Sequence, residues 1–296
     1  MAYFLQYVFM NIFMFFVHLL PWKAAYALGV FLGSLLHIIF GSRTRLARQN
    51  IDKAIGKGMS DKEKDQLVRN VYRNFGKTLI EFVKIIRWDN AALRRMVKIE
   101  GIENLKKACE SNKGVILLTG HIGNWHVMGM ALGSHGYKVT NVIKRQKNPW
   151  VAHWIVDQVY RARMKSIFQN NKNPRQIIKA LRNREIVEFL GDLHAGDRGI
   201  FVDFMGRPAS TFTGPVILAI RTGAPIVVAV DVRNPDNTHT AFIDEPIYLD
   251  RSRTSDEDVH DSLGVITKGL ESYILKYPDQ WFWLHNRWKT QPKDGA

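Results

Sequence analysis

Residues 114–126 read Gly114-Val115-Ile116-Leu117-Leu118-Thr119-Gly120-His121-Ile122-Gly123-Asn124-Trp125-His126. A short, unbroken apolar run bounded by glycine predicts a strand buried on both faces, as in a parallel sheet covered by helices. The strand ends at Thr119-Gly120 and delivers His121. Gly123 keeps the turn tight before a helix expected to begin over Trp125 to Leu132. Neutral imidazole is the side chain best matched to accept a proton near pH 7. A histidine that merely caps or hydrogen-bonds a loop is the plainer alternative, and the position at a strand end beside two glycines weighs against it.

Outward from this run, helical and strand patterns alternate. Ser60-Asp61-Lys62-Glu63 has the capping-box form and leads into apolar positions at helical spacing, from Val68 through Tyr72 and Leu79 to Ile86. Further helices fit Trp150 to Met164, Gln176 to Leu181 and Leu263 to Ile274. Short β-like runs lie between them: Gly114 to Thr119, Lys138 to Ile143, Ile186 to Leu190, Pro225 to Asp231 and Thr240 to Ile243. This alternation predicts an α/β fold, a helix-covered and largely parallel mixed sheet. Chemistry in such sheets collects at the carboxyl ends of strands, here loops 120–126, 144–149 and 191–199.

The 296-residue chain carries 42 basic and 27 acidic side chains, a net charge of +15. That surplus favours anionic partners. A lone cysteine, Cys109, excludes an intramolecular disulfide or a multi-cysteine metal site. The first 22 residues contain no Asp, Glu, Lys or Arg, and the next acid after that is Asp52. About 20 apolar residues in a helix cross a bilayer, so residues 1–42 read as a hydrophobic anchor with one spanning helix within 2–22. Residues 43–296 read as a single domain. Arg43, Arg45 and Arg48 follow the anchor and place that domain on the cytoplasmic side. Ala25-Tyr26-Ala27 has the form of a signal-peptide cleavage site, but the start lacks a basic n-region and the apolar run is too long. Whether residues 24–42 span, lie in the interface or pack on the domain stays open at this level. No nucleic-acid-binding pattern appears.

Several stretches resemble one family. Gly120-His121 with the position five residues on is similar to the H-x4-D/E motif of the lysophospholipid acyltransferase superfamily. The closer resemblance is to the bacterial lipid A biosynthesis lauroyl/myristoyl acyltransferases. Lys144-Arg145-Gln146-Lys147-Asn148-Pro149 resembles their basic segment, and Gly199 to Pro208, continuing through Thr213-Gly214-Pro215 and Arg221 to Pro225, their central block. Tyr277 to His285 with Arg287-Trp288-Lys289 resembles their C-terminal signature. Four ordered blocks and an anchor are far more specific than H-x4-D/E alone.

The resemblance implies a sheet of the glycerol-3-phosphate acyltransferase type and transfer of a fatty acyl group to a hydroxyl of a lipid A precursor at the bacterial inner membrane. It implies no cofactor: acyl carrier protein is the acyl donor and an anionic glycolipid the acceptor. His121 is then the general base and Lys144 a catalytic cation, with Asn124, Arg145, Arg198 and Arg207 expected to contact substrate. Acidic carrier protein and anionic lipid suit a chain whose residues from 52 onward carry 38 basic and 27 acidic side chains. Trp281, Trp283 and Trp288 are expected to pack or to sit at the membrane interface.

One departure stands out: position 126 is His where the family has Asp or Glu. A neutral imidazole can accept a hydrogen bond from His121 but brings no negative charge, a loss on the order of 10²–10⁴-fold in acid–base catalysis. The chain is then a weaker variant, a protein whose partner carboxylate comes from elsewhere, or one altered at this position. Asp192, in the loop after the third strand, is the candidate for a substitute or additional carboxylate. The alternatives in function are acyl transfer to another glycolipid or a lysophospholipid, and a catalytically silent lipid-binding relative. A metal at His121 and His126 is disfavoured, because five residues along a helix do not share a face.

Overall fold

The computed structural model describes residues 1–144, 147–161, 164–168, 174–252 and 254–292. Four helices come first: α1 (Ala2–Leu19), α2 (Trp22–Ile39), α3 (Gly41–Ala54) and α4 (Asp61–Lys84). Pro21, held in the extended region, separates the first two. The Ser60/Glu63 capping box opens α4, with both reciprocal bonds made. The chain continues through α5 (Asn90–Met96), β1 (Val97–Glu100), α6 (Ile102–Cys109), β2 (Val115–Thr119), α7 (Trp125–Ser134) and β3 (Val139–Ile143). Then come α8 (Pro149–Arg161), β4 (Lys165–Phe168), α9 (Arg175–Arg182) and β5 (Ile186–Leu190). The hairpin β6 (Ile200–Phe204) and β7 (Arg207–Thr211), α10 (Gly214–Thr222), β8 (Ile226–Arg233), β9 (His239–Ile243) and α11 (Asp256–Lys276) complete the order.

The main sheet has seven strands in the order β1-β9-β8-β2-β5-β3-β4. The five from β8 to β4 run parallel; β9 pairs antiparallel to β8 and carries β1 parallel to itself. β2 is central and buried at every residue, as its unbroken apolar run requires. Ile116 and Leu118 enter one core with Val71 and Tyr72 of α4 and Leu263 and Ile266 of α11. Val115 and Leu117 face the other, with Val127 and Leu132 of α7 and Leu105 of α6.

The expected α/β class and largely parallel sheet are thus observed. The helix expected over Trp150 to Met164 is observed as α8, Pro149–Arg161; Met164 is not helical, and β4 follows it. β1 and the β6–β7 hairpin were not legible: β1 is only four residues long, and Asp203, Gly206 and Pro208 interrupt the apolar pattern of the hairpin. The spanning helix expected within residues 2–22 coincides with α1, an apolar helix over Tyr3–Leu19. Among the described residues, the helix long and apolar enough to cross a membrane, by length and composition, is the next one, Trp22–Ile39, the stretch Tyr3–Leu19 being shorter.

Candidate active site

His121 stands just past the carboxyl end of β2, and Asp192 just past that of the adjacent β5. The imidazole Nδ1 lies 2.8 Å from Asp192 Oδ1. The His121 backbone N–H donates to Oδ2 at 2.8 Å, and so does the Trp281 indole N–H, also at 2.8 Å. Gly120 makes room for this, since a Cβ there would sit 3.1 Å from the Asp192 carboxyl carbon. Asp192 is fully buried while the His121 side chain is 22% exposed, so the pair presents its imidazole outward.

Burial alone would raise the Asp192 pKa. The adjacent His121 imidazole and the three hydrogen bonds it receives outweigh that, and hold the carboxyl below its usual range. A carboxylate only accepts, so Nδ1 of His121 carries the ring proton and Nε2 keeps its lone pair.

The loop is fixed from two sides. Gly123 N–H donates to Gln280 O, and Phe282 N–H to His121 O, each at 3.0 Å. The C-terminal segment therefore buttresses His121 as well as Asp192. Below, Thr78 of α4 donates to Gly123 O at 3.1 Å. Gly123 has φ +56°, and a Cβ there would lie 1.9 Å from Asp231 O, so no larger residue fits. Asn124 is fully buried. Its side-chain oxygen caps α7 by accepting from the backbone of His126 and Val127, while its amide donates to Glu81 at 2.9 Å and its backbone N–H to Asp231.

Glu81 and Asp231 belong to a buried charge cluster with Arg233 and His239. Arg233 grips both Glu81 oxygens, at 2.7 and 2.5 Å, and His239 bridges Asp231 at 2.7 Å and Glu81 at 3.3 Å. Burial pushes the His239 pKa down, but the two carboxylates more than reverse this and raise it to about 9. Two cations thus meet two anions within the protein, and each charge has a partner.

The other expected site residues are distributed as follows. His126 makes no hydrogen bond to His121, whose Nδ1 is already committed to Asp192. It lies half-buried at the start of α7, its ring 4.3 Å from that of Phe82. Burial, with a smaller contribution from the neighbouring His121, pushes its pKa down to about 3. The expected bond between the two imidazoles is therefore replaced by one between His121 and Asp192. Asn124 serves as a cap and cluster ligand inside the protein, where a substrate contact was expected. Lys144 is exposed at the end of β3, on the same edge of the sheet as His121. Arg145 lies outside the described residues. Arg198 is exposed in a 3-10 turn that follows Asp192. Arg207 sits at the turn end of the β6–β7 hairpin, its guanidinium 5.3 Å over the Trp288 ring, and is not among the groups around His121.

Trp281 was expected to pack or to sit at the membrane interface. It is buried as a packing residue, yet its N–H bonds the Asp192 carboxylate behind His121. Arg287 was not foreseen either. It is fully buried and donates to Ser210 O and to Thr211 Oγ1, tying the C-terminal segment to the hairpin. The concentration of aromatic and basic residues over 281–289 was the one available signal for both.

Residues 1–290 match the family model for the bacterial lipid A biosynthesis acyltransferases. Among curated proteins, the lipid A biosynthesis lauroyltransferase of Escherichia coli K12 is 26% identical over 283 residues, covering 93% of this chain and 88% of that one. The lipid A biosynthesis palmitoleoyltransferase of the same organism is 24% identical over 275 residues, covering 92% and 87%. A phosphatidylinositol mannoside acyltransferase of Mycolicibacterium smegmatis is 23% identical over 270 residues, covering 86% of each.

Proposed function

Because the chain belongs to the bacterial lipid A biosynthesis acyltransferase family, we propose that it transfers a fatty acyl group from acyl carrier protein to a hydroxyl of a lipid A precursor, with His121 as general base. The chain is an acyltransferase, and the family's lipid A members support a lipid A precursor as acceptor. The single observation that carries the mechanism is the His121–Asp192 pair, bonded at 2.8 Å at the carboxyl end of the sheet.

In this mechanism Nε2 of His121 takes the proton of the acceptor hydroxyl as its oxygen attacks the thioester carbonyl. The new C–O bond forms and the C–S bond breaks. The thiolate leaves and recovers the proton from the imidazolium. Asp192 stays ionised throughout and offsets the charge that develops on His121, as a buried carboxylate does in other acyl-transfer sites. His126 needs no acidic role in this scheme. Lys144 and Arg198, cations on the same edge of the site, meet the substrate phosphates or the developing oxyanion. Residues 43–296 work as one domain on a sheet of the glycerol-3-phosphate acyltransferase type, held by the N-terminal helices to the cytoplasmic face of the inner membrane. The mannoside relative supports a second acceptor, another glycolipid, with the same role for His121.

The test is an acyl-transfer assay in detergent micelles with acyl carrier protein thioester and a tetraacylated lipid A precursor. His121→Ala should lower kcat by at least about 10²-fold. Transfer by His121→Ala equal to that of the unaltered chain would refute the base assignment. Carrier-protein binding without turnover in either chain would refute catalysis.

A further inference from the structure

The N-terminal helices carry a large apolar surface, yet both are tied to the catalytic body along their lengths. α2 lies antiparallel against α4, backbone to backbone. A Cβ at Gly29 would come within 3.0 Å of Gly76 O and 3.1 Å of the Lys77 Cα. One at Gly33 would meet Tyr72 O at 2.2 Å and the Arg73 Cα at 3.0 Å. These glycines occupy the middle of α2. If α2 crossed a bilayer, Arg73 and Lys77 would therefore sit near its midplane, where a buried cation is heavily penalised. The β8–β9 turn would be drawn in as well, because the Tyr26 hydroxyl of α2 donates to Asn237 O at 3.4 Å.

α1 is held at both ends. Near its start the Asn148 amide donates to Tyr3 O at 3.1 Å, and near its finish the Lys84 ammonium donates to Val17 O at 3.1 Å and Leu20 O at 2.7 Å. Tyr3 and Val17 are about 21 Å apart along a helix. A spanning helix leaves the body that precedes or follows it, whereas this one returns to the same body at each end. Its outer face is nevertheless exposed and greasy: Phe9, Phe16 and Leu19 on α1, with Phe31, Ile38 and Ile39 on α2, are each at least 60% exposed. Acids are missing from the first 51 residues, and Lys23, Arg43 and Arg45 stand exposed beside the helix ends. A contiguous apolar face rimmed by cations is complementary to an anionic lipid surface.

The same helices border the site. Trp154 of α8 packs in the α1–α2–α4 cluster. Ring contacts run from it through Phe82 (5.5 Å) and His126 (4.3 Å), then by way of Trp125, to His121 (4.7 Å).

We propose that α1 and α2 lie in the plane of a single anionic leaflet and do not cross the bilayer, setting the His121 site at the level of the lipid headgroups. This rests on the lipid-acceptor reading above and specifies how the acceptor is met. The expected consequence is that both ends of the α1–α2 pair, and the turn between the two helices, share one side of the membrane with the body.

The test places single cysteines, in a Cys109→Ser background, in a short extension before Met1, at Lys23 beside the α1–α2 turn, at Ser42 and at Ser272 of α11. The full chain is reconstituted in sealed vesicles of anionic phospholipid and labelled with an impermeant maleimide. All four should react from the same side. Protection of the extension or of position 23 where Ser42 and Ser272 react, with labelling only after the vesicles are opened, overturns the proposal. Phe9→Glu combined with Phe31→Glu should weaken vesicle binding at least tenfold; undiminished binding overturns it too. Transfer in detergent micelles needs no membrane topology. A spanning N-terminus with normal transfer thus sinks this inference alone, and loss of the His121→Ala effect sinks only the base assignment.

Discussion

An imidazole becomes an effective base when one nitrogen is committed to a carboxylate and the other is left for the substrate. His121 meets that condition through Asp192, a residue 71 positions away. His126, at the motif's acidic position, is neutral at working pH and packs at a tilt against Phe82. The two positions should therefore respond very differently. Asp192→Asn keeps the shape but removes the charge and disturbs the Nδ1–H tautomer, and should cut kcat by about 10²–10⁴-fold. His126→Ala removes only ring packing, and should leave kcat within about tenfold. Steady-state kinetics on both variants measures the contrast. Equal losses would mean that the charge behind His121 is not what matters.

At the scale of elements, close backbone approach between α2 and α4 fixes the N-terminal pair on the body. Gly33→Ala would drive a methyl group into the Tyr72 carbonyl, which cannot move without shifting α4. The expected cost is about 1–3 kcal/mol, read as a lower thermal midpoint in detergent. Gly264→Ala in α11 is the control, because a Cβ there meets nothing within 4 Å. In a helix interior that change should be neutral or stabilising by about 0.5–1 kcal/mol. The buried cluster under loop 121–126 acts at the same scale, joining α4, β8 and β9 beneath Asn124, so that the loop carrying His121 rests on three elements at once.

For the molecule as a whole, pH acts through buried groups. Glu188 of β5 is buried with one carboxyl oxygen unpartnered among the described residues, and burial raises its pKa to about 8. Between the ordinary glutamate value and 8 the unfolded chain gives up this proton while the folded one keeps it. Stability therefore falls as pH rises through that window, by up to a few kcal/mol in all. His239, raised to about 9, adds stability that is complete below its ordinary value near 6.5 and is lost as pH rises through 9. Buried His126, depressed to about 3, acts the opposite way below pH 6.5, so Glu188→Gln should make the slope of stability against pH more positive between pH 5 and 6.5, where His239 does not yet contribute. Thermal midpoints of both proteins across that range check it. An unchanged slope would mean that Glu188 is ionised in the folded state.

Local patterns alone determined the α/β class, the central strand, His121 at its end and the apolar character of the N-terminus, because each follows from the order of neighbouring residues. Asp192 could be nominated from its place after the third strand, but not paired. The pairing, the indole N–H of Trp281 on the same carboxylate, and the return of α1 and α2 onto the body join residues tens to hundreds of positions apart. Periodicity reports which face of an element is apolar; it carries no information about which distant element covers that face or which carboxylate reaches across it. Those choices are made by packing, when the sheet order brings β5 beside β2 and the C-terminal segment closes over their ends.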